Sequence, residues 1–416
     1  MLVFLSTICA RAAPTSTSTP APTDIPPPSP NPWTLMTTVA VPEAAAAGAI
    51  YPDSSPANFE LNFTGSPGWI VHLSGGGWRF LHNTTNGTAA ESKVPPALTG
   101  DGSVPSDVGC YGHCDGIMST DPTQNPLFHK WNKVFVPISG DSFTGNRDSL
   151  SPYPVRGARI LQAVIAHLQA QYGMARATDV ILTGGSSGGL ATYLTCDRVG
   201  ELVARVNAST RYSCLADAGF FLDHPNYEGQ PTYSPLFEQS FYAWNSSGGT
   251  NQACIAHYAQ LGTPEKCIFA QYVAPFIRSD LFIMQTLYDS FQLANILQVT
   301  GAGKCAGYGS PGLAGCQPEQ ISAIQQYGST TRTLLASLAA KSQRLGVYAP
   351  SCISHCQSVE NEHPAALWDW PARWGIGNAT PSAAFNDWYS NRKSNYLVQQ
   401  CDWSATECNA KCPMYT

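Results

Sequence analysis

The hydrophobic pattern changes period several times along this chain, and each change marks an expected element. Trp69-Ile-Val-His-Leu-Ser74 is a short apolar run ending in Gly75-Gly76-Gly77, the pattern of a buried strand that feeds a tight turn. Val134-Phe-Val-Pro-Ile138 repeats it, and Pro137 suits such a strand only at its end, because proline lacks the N–H that a central strand donates. Over 154–172 the period lengthens. Ile160, Leu161, Val164, Ile165 and Leu168 recur at three- and four-residue spacings between Pro154 and Gly173, which predicts an amphipathic helix. Val180-Ile-Leu-Thr183 reads as the next strand, Gly184-Gly-Ser-Ser-Gly-Gly189 as a turn, and 190–195 as the start of another helix. Strand, helix, strand, tight turn, helix is the order of parallel α/β packing.

Farther on, 219–222 (Gly-Phe-Phe-Leu) reads as a short strand, 280–296 as largely helical, 318–341 as a helix, and 346–350 as a strand ending at Ser351-Cys352. Residues 33–61 carry apolar positions without a clear period and are expected on the domain surface. Residues 232–315 are expected to contain cap or surface insertions. The Gly/Pro-rich stretch with Cys110 and Cys114 reads as a stapled excursion, and so does the tail after Cys401 with Cys408 and Cys412.

The first 13 residues hold a short apolar stretch and end in small side chains, as a secretory signal peptide does, although no basic residue precedes the apolar stretch. Residues 14–32 are Thr, Ser, Pro and Ala with Asp24, too polar to order themselves, and are expected to form a disordered leader. That leaves 33–416 as a single α/β domain, with no internal repeat and no later linker.

Composition narrows the function. At 43% apolar and 11% aromatic the 416 residues can bury a large core. Only 12% are charged, the net charge is −6, and no basic block offers a footprint for nucleic acid, which excludes polynucleotides as partners. No stretch reaches the roughly 18 to 20 apolar residues of a membrane span. Of 14 cysteines, Cys9 would leave with the signal, so an odd number stays and at least one is free, paired between chains, or buried as a small hydrophobe. The others are expected to staple long loops in an oxidising compartment. Cys110-x3-Cys114 and Cys352-x3-Cys356 superficially invite zinc, but export argues against a thiolate site, and neither metal nor cofactor is expected. Asn62, Asn83, Asn86, Asn207, Asn245 and Asn378 head Asn-x-Ser/Thr sequons, as in a secreted glycoprotein.

The chemistry lies in the run 184–189. Ester cleavage needs a hydroxyl exposed on a sharp turn between strand and helix, with backbone N–H groups facing the developing oxyanion. Two registers fit Gly-x-Ser-x-Gly. Starting the turn directly after the strand favours Ser186 over Ser187, and Ser187 then lends its N–H to the oxyanion hole. A phosphate-binding turn would carry a Gly-x4-Gly-Lys pattern, which this segment lacks. Gly75-Gly76-Gly77-Trp78 supplies the second half of an oxyanion hole, with Trp78 as a pocket wall. For the base, both His355, between Cys352 and Cys356 after a strand, and His363 suit, while His224 and His257 read as ordinary surface histidines. For the acid, Asp289 competes with Asp217, Asp223 and Asp280; Asp280 reads as a helix-start residue close to Arg278, whereas Asp217 and Asp223, at the ends of the expected strand, stay open on composition.

Several separate segments resemble the pectin acetylesterase family, which includes the Notum-like carboxylesterases. They are Leu73-Ser-Gly-Gly-Gly-Trp78, Ser142-Phe-Thr-Gly-Asn146, Arg156-Gly-Ala-Arg-Ile160, the 184–189 run, Asp217-Ala-Gly-Phe-Phe221, Tyr288-Asp-Ser-Phe-Gln292 and Ala349-Pro-Ser-Cys-Ile-Ser-His-Cys356. The resemblance implies an α/β-hydrolase fold: a mostly parallel sheet flanked by helices, with disulfide-stapled loops and insertions. It implies Ser186 as nucleophile, Asp289 as acid, His355 as base, and Gly77, Trp78 and Ser187 as oxyanion donors. The implied activity is that of a secreted, monomeric serine esterase that deacetylates a cell-wall polysaccharide such as pectin. The alternatives are a deacylase of longer acyl esters on lipid or protein, a deacetylase of another polysaccharide such as xylan, and a secreted binding glycoprotein on the same scaffold. Arg79 and Phe80 stand where family members commonly carry a cysteine, and Ser139-Gly-Asp141 stands where plant relatives have Cys-Asp-Gly-Ser.

Overall fold

The computed structural model describes residues 34–51, 54–77, 81–83, 89–91, 113–138, 143–148, 155–299, 305, 313, 315–358, 370, 375–391 and 395–398. The expected signal and leader, Trp78, Arg79, Phe80, Asn86, Cys110, 139–141, His363 and the tail from Cys401 lie outside these residues.

The central sheet contains β1 (Thr37–Ala40), β2 (Asn58–Asn62), β3 (Gly68–Leu73), β4 (Asn132–Val136), β5 (Asp179–Gly185), β6 (Arg211–Asp217), β7 (Asp280–Met284), β8 (Leu345–Ala349) and β9 (Asn395–Val398). Their spatial order is β9-β8-β7-β6-β5-β3-β4-β2-β1. All pairs from β9 to β4 are parallel, and the two outer pairs, β4 with β2 and β2 with β1, are antiparallel. Among the described residues the helices longer than one turn are α1 (Gly157–Gln171), α2 (Ser187–Val206), α3 (Ser234–Ala243), α4 (Gln252–Gln260), α5 (Ser290–Asn295), α6 (Pro318–Lys341) and α7 (Pro381–Asn391).

Strands covered on both faces read as continuous apolar runs, which is why β3 and β4 were legible. On one face Val71, Leu73, Val134 and Leu182 pack with Ile160, Val164 and Leu168 of α1 and Leu190 and Leu194 of α2. On the other, Ile70, Phe135, Ile181, Leu215, Phe282 and Tyr348 meet Phe385, Trp388 and Tyr389 of α7. This helix–sheet–helix sandwich is the α/β-hydrolase architecture that the pattern and the resemblance implied. β4 stops at Val136, so Pro137 lies just beyond the strand's end.

Four expectations are corrected. The segment 280–296 is not one helix: Leu281-Phe-Ile-Met284 is a central strand between β6 and β8, and only Ser290–Asn295 is helical. A short apolar run suits either state by period, and the vacant place in the sheet decided it. Consequently 232–315 is not only insertion; it holds α3 and α4 but also a core strand. The strand expected at 219–222 lies instead at Arg211–Asp217, and 219–222 is irregular because the Phe220 N–H donates to the Gln285 side chain at 2.9 Å rather than to a strand. Residues 33–61 are not merely superficial. β1 and β2 extend the sheet, and Phe59 and Leu61 are buried against α1.

Disulfides join Cys196 to Cys214, Cys254 to Cys267 and Cys305 to Cys316; Cys352 and Cys356 are also disulfide-bonded, and no described cysteine is free. The Cys196–Cys214 bond ties α2 to β6, the helix and strand behind the 184–189 turn. No described helix is long and apolar enough to cross a membrane.

Candidate active site

The run 184–189 connects β5 to α2 through a single residue of unusual backbone. Ser186 has φ 57° and ψ −125°, a conformation that costs a non-glycine residue about 1–3 kcal/mol and survives only where its surroundings impose it. Glycines make those surroundings possible. A Cβ on Gly188 would lie 2.1 Å from the Leu73 carbonyl, and one on Gly189 would lie 2.1 Å from the Asp217 carbonyl. α2 therefore starts in direct backbone contact with the ends of β3 and β6. The Ser186 N–H donates to the Asp217 carbonyl at 2.9 Å, which fixes the turn from the β6 side.

This geometry separates the two registers. Ser186 presents Oγ to His355 Nε2 at 2.8 Å, whereas Ser187 begins α2 with its hydroxyl buried and without a hydrogen-bond partner among the described residues. His355 Nδ1 lies 2.8 Å from Asp289 Oδ2. Because the carboxylate can only accept, Nδ1 carries the proton and Nε2 is left to accept from the serine O–H. Ser186, His355 and Asp289 thus form one hydrogen-bonded line, with the imidazole 7% and the carboxylate 1% exposed.

Two short segments hold the far end of that line. Residues 288–289 and 353–354 pair as parallel strands, bringing Asp289 opposite Ser354, one residue before the histidine. The Thr286 hydroxyl donates to the Ser354 carbonyl at 2.9 Å. Asp289 is also the N-cap of α5: its Oδ1 accepts from the Gln292 N–H at 3.0 Å. Gln285 donates from Nε2 to Asp289 Oδ2 at 3.1 Å while its Oε1 receives the Phe220 N–H. Three donors therefore orient the carboxylate.

The other carboxylates considered from sequence are engaged elsewhere. Asp223 accepts from the hydroxyls of Tyr272 and Ser234, and Asp280 faces Arg344 at 3.8 Å from the start of β7. Asp217 ends β6 fully buried, and its Oδ2 receives the N–H groups of Gln357 and Ser358, both at 2.6 Å, and the Ser358 hydroxyl at 2.8 Å. Burial pushes its carboxyl above the usual carboxylate range, partly offset by those three donors and by His355. His224 packs against Tyr327, and His257 against Tyr258 and Phe276, each away from the serine line.

The expected oxyanion loop lies against the turn. A Cβ on Gly75 would be 3.0 Å from the Gly185 carbonyl and 3.4 Å from Ser186 Cβ. Ser74 anchors the loop by donating from N to Val136 O at 3.2 Å and from Oγ to Ile138 O at 2.5 Å. Gly76 and Gly77 have φ of 111° and 91°, values that favour glycine. Ser187, the first residue of α2, follows Ser186 directly, and α2 adds the positive end of its dipole there. Aromatic rings line the histidine: Phe291 stacks on His355 at 5.5 Å, Phe221 lies 6.3 Å from it, and the two phenyl rings are 5.4 Å apart. Among the described residues no group of three or more His, Cys, Asp or Glu could hold a metal ion.

Sequence reasoning missed Gln285, Thr286 and Gln292 as supports. One signal was available: Asp289-Ser-Phe-Gln292 has the spacing of an N-cap followed by a polar N3 residue, which would have started a helix at Asp289.

Comparison with known proteins agrees with this architecture. The Drosophila Wnt deacylase Notum superposes with a TM-score of 0.71 at 24% identity, covering 91% of this chain and 99% of that one. Pectin acetylesterase 11 of Arabidopsis thaliana is 30% identical over 381 residues, which are 89% of this chain and 90% of the relative. Human palmitoleoyl-protein carboxylesterase NOTUM is 27% identical over 396 residues, 87% of this chain and 70% of the relative. The family model described as Pectinacetylesterase matches residues 31–413, and the chain belongs to that family of α/β-hydrolase-type carboxylesterases.

Proposed function

We propose that this protein is a secreted serine carboxylesterase in which Ser186 is the nucleophile, His355 the general base and acid, and Asp289 the group that orients the imidazole. The observation that carries the reading is the pair of 2.8 Å bonds linking Ser186 Oγ, His355 and Asp289. In the first step His355 Nε2 takes the serine proton as Oγ bonds to the ester carbonyl carbon. The oxyanion accepts from the N–H groups of Gly77, Ser187 and Trp78. His355 then gives the proton to the departing alcohol oxygen, the C–O bond breaks, and an acyl-serine is left. Water, deprotonated by the same nitrogen, releases the acid and restores the serine. Disulfides among the described residues fit an oxidising, extracellular setting.

For the acyl group, the reading is a short one, with O-acetyl on a cell-wall polysaccharide such as pectin as the substrate class. The likeness to pectin acetylesterases, 30% identical over most of the chain, supports it. A longer acyl chain is the second reading, supported by the likeness to carboxylesterases named for palmitoleoyl-protein and to a Wnt deacylase. The intact serine line weighs against a binding glycoprotein that has lost turnover.

The test is hydrolysis of acetyl, butyryl and palmitoyl nitrophenyl esters, with acetylated pectin and xylan as polymers, by the wild-type chain and Ser186→Ala. The variant should lose on the order of 10⁶ in kcat. Turnover at the wild-type rate would end the serine reading. A preference for palmitoyl would replace the short-acyl reading with the second one, and activity on xylan but not pectin would redirect the polymer.

A further inference from the structure

His355 is followed by an unusual turn that nothing in the serine line itself explains. Cys356 has φ 59°, a left-handed value that a cysteine rarely adopts. Beyond it, two successive backbone N–H groups, those of Gln357 and Ser358, converge at 2.6 Å on one oxygen of Asp217, and the Ser358 hydroxyl joins them. Successive N–H groups beside a left-handed residue form an anion-binding concavity, and here the anion is a side chain of the same protein. Asp217 is fully buried at the C-terminal end of β6, and its second oxygen has no partner among the described residues. Burying a carboxylate is costly, and the three donors on this oxygen offset part of that cost.

The same residue reaches the nucleophile through its main chain. The Asp217 carbonyl receives the Ser186 N–H at 2.9 Å and sits where a Cβ of Gly189 would be. One residue therefore bonds the nucleophile turn with its backbone and the histidine loop with its carboxylate. The Ser358 carbonyl carries the loop on to the Ile117 N–H at 2.9 Å, so the clamp has a second anchor away from the serine.

We propose that Asp217 is a positioning residue, the clamp that holds the His355 loop in register with the Ser186 turn and so keeps Nε2 within hydrogen-bond reach of Oγ. It rests on the reading of Ser186 and His355 as the reacting pair. Asp217 touches neither substrate nor the reacting atoms. Its contribution is to the distance across which the proton passes, and that distance governs kcat more than KM.

The experiment compares Asp217→Ala, Asp217→Asn and Ser358→Ala in the full chain. It reads kcat and KM on nitrophenyl acetate, the rate constant for phosphonylation of Ser186 by a fluorophosphonate, and thermal melting. Folded Asp217→Ala should lose about 10²-fold in kcat and a similar factor in phosphonylation, with KM within about twofold. Asp217→Asn, whose amide oxygen accepts the same N–H groups more weakly, should lose about tenfold. Ser358→Ala should lose the least, because both N–H donors persist. Wild-type kcat in either folded Asp217 variant overturns the proposal, as does a loss that only tracks the unfolded fraction while phosphonylation per folded molecule is unchanged. If Asp217→Ala does not fold, Asp217→Asn decides by the same criteria. Ser186→Ala measured alongside separates the two readings: full turnover there ends the serine reading, whereas an inactive Ser186→Ala beside fully active Asp217 variants ends only this one.

Discussion

The two ends of the serine line are built by different means. The nucleophile end is a backbone device: a strained Ser186 between a strand and a helix, with glycines that let α2 touch the ends of β3 and β6. The acid and base end is a side-chain device, in which Gln285, Thr286 and Asp217 hold two short loops that come from sequence positions far apart. The first tolerates no added atom. The second rests on hydrogen bonds to buried polar groups. Precision at an active site can thus come from packing the backbone or from satisfying polar groups, and this molecule uses one on each side.

The contrast can be sharpened by substitution. Asp289→Asn keeps the shape of the acid but replaces an acceptor with an amide, which favours the wrong imidazole tautomer. It should lower kcat by about 10⁴-fold while leaving the melting temperature close to wild type. A loss below about tenfold in steady-state kinetics would remove Asp289 from the orienting role. Gly188→Ala should act in the opposite manner. Its Cβ would stand 2.1 Å from the Leu73 carbonyl, so the end of β3 or the start of α2 must move. We expect about 3 kcal/mol of destabilisation in urea unfolding, and poor yield of folded protein. Unchanged stability would mean that the elbow is looser than its contacts imply.

Gln285→Leu is the gentler probe of the side-chain end. It strips one donor from Asp289 and leaves the buried Phe220 N–H without its acceptor, a cost of about 1–3 kcal/mol. The measurable outcome is a kcat about tenfold lower at constant KM, with a modest fall in melting temperature. If kcat and KM both stay at wild-type values, the carboxylate is held well enough by His355 and the α5 N-terminus.

Legibility followed the same division. The elbow could be read because its determinants are contiguous: an apolar strand, a glycine-rich turn and a helix within about twenty residues, each with its own period. The histidine and the acid could not be chosen by pattern. Asp217 and Asp223 stayed open beside Asp289, the place of His355 after a strand and between cysteines favoured it over His363 without fixing it, and the family resemblance moved the weight to Asp289 and His355. The structure brings those two to Ser186 and shows Asp217 bonded to the histidine loop instead. β7 was misread for a related reason. Leu281-Phe-Ile-Met284 has no period of its own, and what makes it a strand is the open position between β6 and β8.

By itself the sequence determined most of the alternation of strands and helices, the glycine-rich turn with its two serines, and the lack of a basic block along the chain, because these depend on side-chain period and composition over short windows. The tertiary structure alone decided which carboxylate stands behind His355 and which one bonds its loop, and it brought Ser186 to that histidine. Those choices join residues as far apart as Ser186 and His355, 169 positions along the chain, and such distances close only when the sheet assembles and aligns the strand ends that carry them.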